Sequence, residues 1–585
     1  MILPDKTAEL LAQALKWIED CRVSQGQRAA AYRQYGQWLE TGRPAGGLAL
    51  CNVLYGHVDR LASYLYSPTQ LHFGADWENL YPPDILAKGQ VAARLVTSEW
   101  NRRNTDILFG HGVKEALGYG WCGLKHLVGR NDEGAYESHG ARLVMPWNFG
   151  VWTETIDDLD LQECFVETVW LTRPEVWRRV RHLPDAEKLY KRILGGADRD
   201  TGAGQPTSFM HQVLSTAVLN TSLQNMTQPQ PGGIVQLSND PNFATLGPQV
   251  APALYPMYEL WVRNDARANG YTTICIIAPD VLISPTERMP RTNLFIERNK
   301  PGRDGPILCS DDHPYSSIYA NYVSGYFWNR SEIVDLLELQ AWLTEHLDDA
   351  KRLMGLQVDR ILAFGGDGIQ DEQYLQQRAA GHFNLGPGGS VEDLTPQVPQ
   401  QLIPLIAEIL MLTDRASGFP PIMSGQGEPG VRAGVHAETL VKTGSPRMRD
   451  RSLLVERLCA TAAQTTLAVL QAKDAKAYWT NFNDETTDFL LEQLPGDLRM
   501  AVDSHSSSPI YADDHAQLIA WAYQQKVIGA EDVIEDLPFA HKEQKMARLK
   551  AREEAEAALV RQYGPEVLTG HRGAGGGGHQ RVRAA

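Results

Sequence analysis

Residues 328–356, WNRSEIVDLLELQAWLTEHLDDAKRLMGL, decide how the rest of the chain is read. The stretch has no proline and no glycine before Gly355, and Asn329 or Ser331 stands where a helix wants its N-cap. Leu336, Leu339, Leu343, Leu347, Ala350 and Met354 follow at steps of three and four. At about 100° per residue these positions form one apolar stripe. Glu338, Glu345, Asp348 and Asp349 fall on the opposite side. More than twenty helical residues rising ~1.5 Å each predict a rod of roughly 40 Å. One face needs an apolar partner, and the other is an acidic strip.

The surrounding composition narrows what such a helix can serve. The chain has 585 residues, 43% hydrophobic and 22% charged, which places it among globular chains and predicts more than one domain. Its net charge of −16 argues against a surface that grips DNA by its phosphates, and leaves room for one that lets DNA pass. Cys21, Cys51, Cys122, Cys164, Cys275, Cys309 and Cys459 are odd in number and never spaced as CxxC. That pattern predicts reduced, mostly buried thiols in a cytosolic setting, with neither a zinc site nor a disulfide framework. Pro4, Asp5 and Glu9 interrupt the apolar run that a signal peptide needs, so export is not expected. The apolar run Leu402 to Leu412 contains Glu408 and is too short to cross a bilayer, so no membrane association is expected.

Motifs for chemistry do not converge. GxxxxGK[ST], HExxH and GxSxG do not occur. GYGWCG (118–123) runs from helix into strand, the reverse of the order that aims a helix N-terminus at a pyrophosphate, and GQGEPG (425–430) follows no predicted strand. The segment DGIQDEQ, from Asp367, misses the calcium-loop spacing because its glycine directly follows the first aspartate. His313 beside Asp311 and Asp312 reads as a loop turn. No catalytic residue, cofactor or metal is expected.

Outward from the long helix, the sequence alternates helical and strand-like stretches. Helices are predicted over 5–42, over Asn52 to Tyr66 with a stop at Pro68, and over Arg94 to Ala116. GYGWCGLKHLVGR (118–130) predicts a turn into a strand, and Ala141 to Pro146 and Glu163 to Leu171 read as further strands. A helix opens at Thr172 or Arg173, with Pro174 near its first position, and runs toward Leu194. Thr207 to Met226 is a helix candidate among loop-forming residues. Strands are predicted over Tyr258 to Asn264, Tyr271 to Ala278, Val281 to Ser284 and Asn293 to Arg298. Between Glu259 and Gly305 seven Lys/Arg face six Asp/Glu, which leaves this module near +1 in a chain of −16. After the long helix come a short strand (Arg360 to Phe364), a glycine- and proline-rich loop (381–399) and an apolar helix (Gln400 to Arg415). A helical stretch from Ala437 to Lys473 breaks near Gly444 and Pro446. Leu498 to Val502 is a strand, helices follow over 513–525, 530–537 and 541–563, and the glycine-rich tail is expected to be disordered.

The order of these segments resembles the portal (head-to-tail connector) proteins of tailed bacteriophages, the short-tailed kind especially. NVLYGHVDRLASYLYSP (52–68) looks like the family's early helix. EWNRRNTDILFGHGVKEALGYGWCGLKHLV (99–128) and VMPWNFGVWTETIDDLDLQECFVETVWLTRPEVW (144–177) look like its wing. ELWVRND (259–265) through NLFIERNKP (293–301) resembles the β-rich clip, and 329–354 the stem helix that follows it. GEPGVRAGVHAETLVKTGSPRMRDRSLLVERL (427–458) is similar to the helix after the tunnel loop.

The resemblance implies an α+β, mainly helical portal fold. On it, 1–200 is an N-terminal helical region and wing, and 201–257 a linker with the candidate first stem helix. The clip is 258–325, the stem helix 326–358, and the wing return 359–473 with the tunnel loop at 381–399. A helical C-terminal region (474–570) and a tail (571–585) complete it. The implied function is not enzymatic. It is a ring, usually a dodecamer, at one capsid vertex, serving genome packaging, head–tail joining and DNA ejection. Implied partners are other copies of the chain, a packaging ATPase (large terminase), a head–tail adaptor, the major capsid and scaffold proteins, and double-stranded DNA passing without sequence specificity. The implied setting is the virion, and the host cytoplasm during assembly. On this basis Glu338, Glu345, Asp348, Asp349, Glu392 and Asp393 are channel-lining candidates. Leu336, Leu339, Leu343 and Leu347 become stem-packing residues, and Arg288, Arg291, Arg298, Lys300 and Arg303 a docking surface on the clip. The loop at 381–399 departs from relatives with basic tunnel loops, since it has no Lys or Arg. Two other classes stay open on the residues alone: another virion structural or scaffold protein, and a metal-dependent enzyme.

Overall fold

The computed structural model describes residues 7–44, 48–68, 71–130, 136–181, 183–200, 254–264, 270–277, 280–284, 313–358, 362–365, 390–394, 396–397, 399–417, 446–472, 476–480, 486–496, 498–502 and 519–525, with isolated positions from 527 to 550. Within them the chain mixes helices and sheets, as an α+β protein does.

Local chemistry sets the first elements. Helix α1 (Thr7–Thr41) is followed by α2 (Val53–Leu65), whose start is fixed by Asn52 accepting a hydrogen bond from the Tyr55 amide. The single helix expected over 94–116 is instead two, α3 (Pro83–Arg103) and α4 (Thr105–Tyr119). They are hinged at Asn104, which adopts the left-handed conformation that asparagine tolerates better than most residues. Gly120 then turns the chain at φ +96°, where a Cβ would come within 2.7 Å of the Trp328 carbonyl oxygen. The helix expected from Thr172 toward Leu194 is also divided, into α5 (Arg173–Val180) and α6 (Ala186–Asp200). Helix α5 opens on a capping box between Thr172 and Glu175.

Two antiparallel sheets form the centre. β4 (Phe149–Val151), β5 (Cys164–Thr172), β6 (Leu254–Asn264), β7 (Gly270–Ile277) and β8 (Val281–Ser284) pair in that order. The expected division between wing and clip at 258 therefore falls inside a strand, and that strand is paired along its length with the wing's β5. The second sheet has β2 (Cys122–Arg130) between β3 (Tyr136–Val144) and β9 (Tyr315–Ile318). Among the described residues there are also three two-stranded ribbons. β1 (Phe73–Trp77) pairs with β14 (Leu498–Val502), β10 (Leu362–Gly365) with β11 (Ser390–Asp393), and β12 (Lys476–Thr480) with β13 (Thr486–Leu490). Of these strands β1, β11, β12 and β13 were not anticipated, and β11 occupies part of the expected loop 381–399.

Alternation along the strands divides the core. Val166, Leu260, Val262, Ile274 and Ile276 pack under Leu10, Ala14, Trp17 and Ile18 of α1. Phe165, Trp261 and Tyr271 point to the other face and join Trp121, Phe149, Tyr315, Phe327 and Trp328. The largest core joins α2, α3, α4 and β2 to the C-terminal part of the chain.

Helix α7 (Leu337–Val358) begins later than the expected residue 328. Phe327 and Trp328 are drawn into the aromatic core, Asn329 is left-handed, and Ser331 caps a short 3-10 turn, Glu332–Asp335. Helices α8 (Leu402–Ser417) and α9 (Pro446–Ala472) follow. Within α9, Met448–Gln471 is long and apolar enough to cross a membrane by length and composition. Val455, Cys459, Ala462, Ala463 and Leu467 of this helix are core residues, which accounts for the apolar composition. The candidate first stem helix, Thr207 to Met226, and the strand expected at 293–298 lie outside the described residues.

Candidate functional site

Helix α7 is anchored at its N-terminal end and open at the other. Its base rests on Glu332, whose carboxylate accepts a hydrogen bond from Arg451 at 2.7 Å and from Asn321 at 2.9 Å, and lies 3.5 Å from His57. Glu332 and Arg451 are both buried. Burial alone pushes the Glu332 carboxyl up, but the His57 and Arg451 contacts and the Asn321 hydrogen bond outweigh it and hold it at about 2. One turn further, Gln340 accepts from the Val53 amide and donates to the Cys51 carbonyl and to Thr344 Oγ1. Arg43 grips Asp348 at 2.6 Å. The helix is thereby fixed to the α1–α2 junction.

The predicted stem leucines divide. Leu336 and Leu343 are buried within the chain itself, while Leu339 and Leu347 are half-buried. Of the four stem-packing candidates, Leu336 and Leu343 are covered by their own chain, in which α7 packs on α2 and α8. Of the predicted acidic row, Glu338 and Glu345 are exposed, and Asp348 and Asp349 are half-buried. Asp348 is engaged by Arg43, and Asp349 lies 3.4 Å from Arg352. Glu392 and Asp393 are exposed on β11. The structure brings Glu338, Glu345, Asp348 and Asp349 onto one element, with Glu392 and Asp393 on a separate ribbon. Arg288, Arg291, Arg298, Lys300 and Arg303 lie outside the described residues.

Beyond its anchored half α7 exposes Met354 and Val358, and α8 exposes Ile403, Leu410 and Met411. Ile403, Ala407 and Leu410 sit at helical spacing on one side of α8, flanking the face that buries Leu402, Ile409 and Thr413. Two helices that pack on each other therefore also present apolar side chains to solvent.

A second polar centre joins the two sheets. Glu167 and Glu259 are register partners on β5 and β6, and Lys125 and Arg142 are register partners on β2 and β3. Lys125 Nζ lies 2.8 Å from Glu167 and also contacts Glu259, Arg142 lies 2.5 Å from Glu167, and the Tyr315 hydroxyl donates to Glu167 at 2.8 Å. Burial opposes the Lys125 charge, yet the two carboxylates raise its ammonium above the usual range. Burial likewise pushes Glu259 up, and Lys125 reverses this to a net lowering. Like charges side by side in each sheet are compensated across the gap between sheets. The sequence signal was a single charge inside each apolar strand, GLKHL, FVETV and YELWV.

A cleft of about 360 Å³ lies beside Glu332, lined by Arg330, Asp335, Asp450 and Arg451 among others. Arg330 pairs with Asp335 and Arg451 with Glu332, so two of the wall's three carboxylates are matched by its two arginines, Asp450 being the third. Among the described residues no three His, Cys, Asp or Glu side chains converge as a metal site. His313, read from the sequence as part of a loop turn, is buried, with Nε2 2.8 Å from Asp160.

No family model matches this chain, and no curated protein matches it. The described geometry is a helix footed on buried polar contacts, with exposed carboxylates at Glu338 and Glu345 and uncovered apolar side chains toward its far end and on α8.

Proposed function

We propose that the chain is the subunit of a portal-type ring, a non-enzymatic channel for double-stranded DNA at one vertex of a phage capsid. The observation that carries this is the divided character of α7 together with α8. The base of α7 is locked by buried polar contacts, its exposed side holds Glu338 and Glu345, and the two helices leave Met354, Val358, Ile403, Leu410 and Met411 in solvent. Exposed apolar residues on adjacent helices mark a surface for further copies of the chain. Closed rings are the symmetric solution for head-to-tail contacts between identical subunits. An acidic face repeated around a ring repels phosphates evenly, so a moving duplex meets no deep electrostatic well.

The order of segments supports the same assignment. The early helix, the helix–turn–strand block and the long helix after a β-rich stretch follow the portal arrangement. In this role the protein works in the virion after assembling in the host cytoplasm. It meets a packaging ATPase, a head–tail adaptor, and capsid and scaffold proteins, and the ATPase docks near Arg288, Arg291, Arg298, Lys300 and Arg303. The deciding experiment is electron microscopy of the purified protein with native mass measurement. Closed rings, about a dozen subunits with an open axial hole, are expected. A monodisperse monomer at micromolar concentration overturns the proposal.

A further inference from the structure

Cys21 on α1 and Cys164 at the start of β5 are completely buried and 143 positions apart in sequence, yet their sulfur atoms lie 3.8 Å from each other. The fold presses them together. Beneath α1, Gly150 of β4 lets the helix settle so deeply that a Cβ there would stand 2.6 Å from the Cys21 carbonyl oxygen. The remainder of this layer is apolar, with Ala14, Trp17, Ile18, Val166 and Val262 among its members, so the two sulfurs have each other as their nearest polarisable neighbours. A disulfide needs sulfurs about 2.05 Å apart, which leaves a shift of roughly 1.8 Å to be supplied by side-chain rotation and a small movement of α1.

We propose that Cys21 and Cys164 form a redox-sensitive lock between α1 and the five-stranded sheet, open in a thiol-rich compartment and closed by exchange with a small-molecule disulfide in an oxidising one. One protein thiolate attacks the reagent RS–SR, forming a protein–SR mixed disulfide and releasing RS⁻, which takes up a proton. The second thiolate attacks the protein sulfur of that mixed disulfide, forming the Cys21–Cys164 bond and releasing the second RS⁻. Two thiols are oxidised, and one RS–SR is reduced to two RSH. The nearby Cys21 sulfur and burial together push the Cys164 thiol up, so closure is slow and waits on local opening of α1. Asp20, Arg22 and Val23 of the same turn are exposed, so lifting this turn of α1 off the sheet is enough to bring Cys21 within reach of the reagent.

The test uses the full-length protein and oxidised glutathione, with Cys51, which is exposed, as an internal reference for reagent access. After incubation the chain is unfolded, alkylated, digested and mapped without reductant. The expected result is a cross-linked peptide pair joining Cys21 to Cys164, lighter by two hydrogens. A rise of roughly 5 °C in the unfolding midpoint should accompany it and disappear on adding reductant. Glutathione on Cys51 with both Cys21 and Cys164 still alkylated as thiols overturns the proposal, as does a bridge from either to another cysteine. Cys164→Ser removes the bridge with little change of shape, and an equal midpoint rise in that variant also overturns it.

Discussion

Glu332 has 6% of its surface exposed and still titrates at about 2, against about 4.5 for an ordinary glutamate. Because the folded carboxyl titrates below the unfolded one, its stabilisation is complete above about pH 4.5 and drains away as pH falls toward 2. At ~1.4 kcal/mol per unit, the effect amounts to about 3 kcal/mol. His126 adds a second acid-sensitive window. Burial lowers it from 6.5 to about 4, so the unfolded chain takes up its proton first and stability falls as pH drops from 6.5 to 4. Urea unfolding as a function of pH should therefore show loss beginning near pH 6.5 and steepening below 4.5. Glu332→Gln leaves Arg451 without its buried counter-charge and should cost about 3–5 kcal/mol at pH 7. It should also flatten the profile between pH 4.5 and 2. A variant with the same slope in that window as wild type would show that Glu332 is not the titrating group.

At the level of elements, two contacts predict separable outcomes. Lys125 is the cation that two carboxylates on adjacent strands share, so Lys125→Met should leave a buried acidic pair and cost about 3–5 kcal/mol by chemical denaturation. Near-wild-type stability there would mean that Arg142 alone neutralises Glu167 and Glu259. On α7, Leu343→Ala removes a buried side chain and should cost about 2–5 kcal/mol in the isolated chain. Ile403→Asp on α8 touches an exposed position, so it should leave the melting curve within about 0.5 kcal/mol of wild type while loosening rings in size-exclusion chromatography. Intact rings with Ile403→Asp would remove α8 from the assembly surface.

How legible each element was depended on how local its signal is. Asn52 caps α2 and Thr172 with Glu175 caps α5 through contacts within three residues, so both starts were readable from the sequence. The break at Asn104 was hidden, because apolar spacing continues through it and left-handed asparagine leaves no pattern. Strand β1 was hidden for another reason: FGADW is five residues long and finds its partner more than 400 positions away, at 498–502. The same limit governed the candidate site. Exposure of Glu338 and Glu345 follows from helical spacing alone. The engagement of Asp348 by Arg43, 305 positions earlier, does not.

For the whole molecule the test is electrostatic. In the proposed ring, a chain of −16 repeated about twelve times would carry roughly −190, and the arrangement of that charge would decide whether DNA slides or sticks. Asp348 and Asp349 lie beside Arg43 and Arg352, so Glu338 and Glu345 are the carboxylates whose reversal disturbs least inside the subunit. In a ring, Glu338→Lys with Glu345→Lys adds about two dozen positive charges to one zone of the assembly. Neither change touches the buried Leu336 or Leu343, so rings should form as before. If the acidic face lines the channel, the new lysines bind passing phosphates by releasing counterions, and every added contact steepens the salt dependence. Packaging should then stall at low ionic strength and recover as salt screens the contacts over a Debye length of about 10 Å at 0.1 M. The measurement is packaging rate against salt for the double variant and wild type in parallel. Equal rates at the lowest salt would place Glu338 and Glu345 on the outer wall, and the channel would then have to be lined by a different face of the subunit.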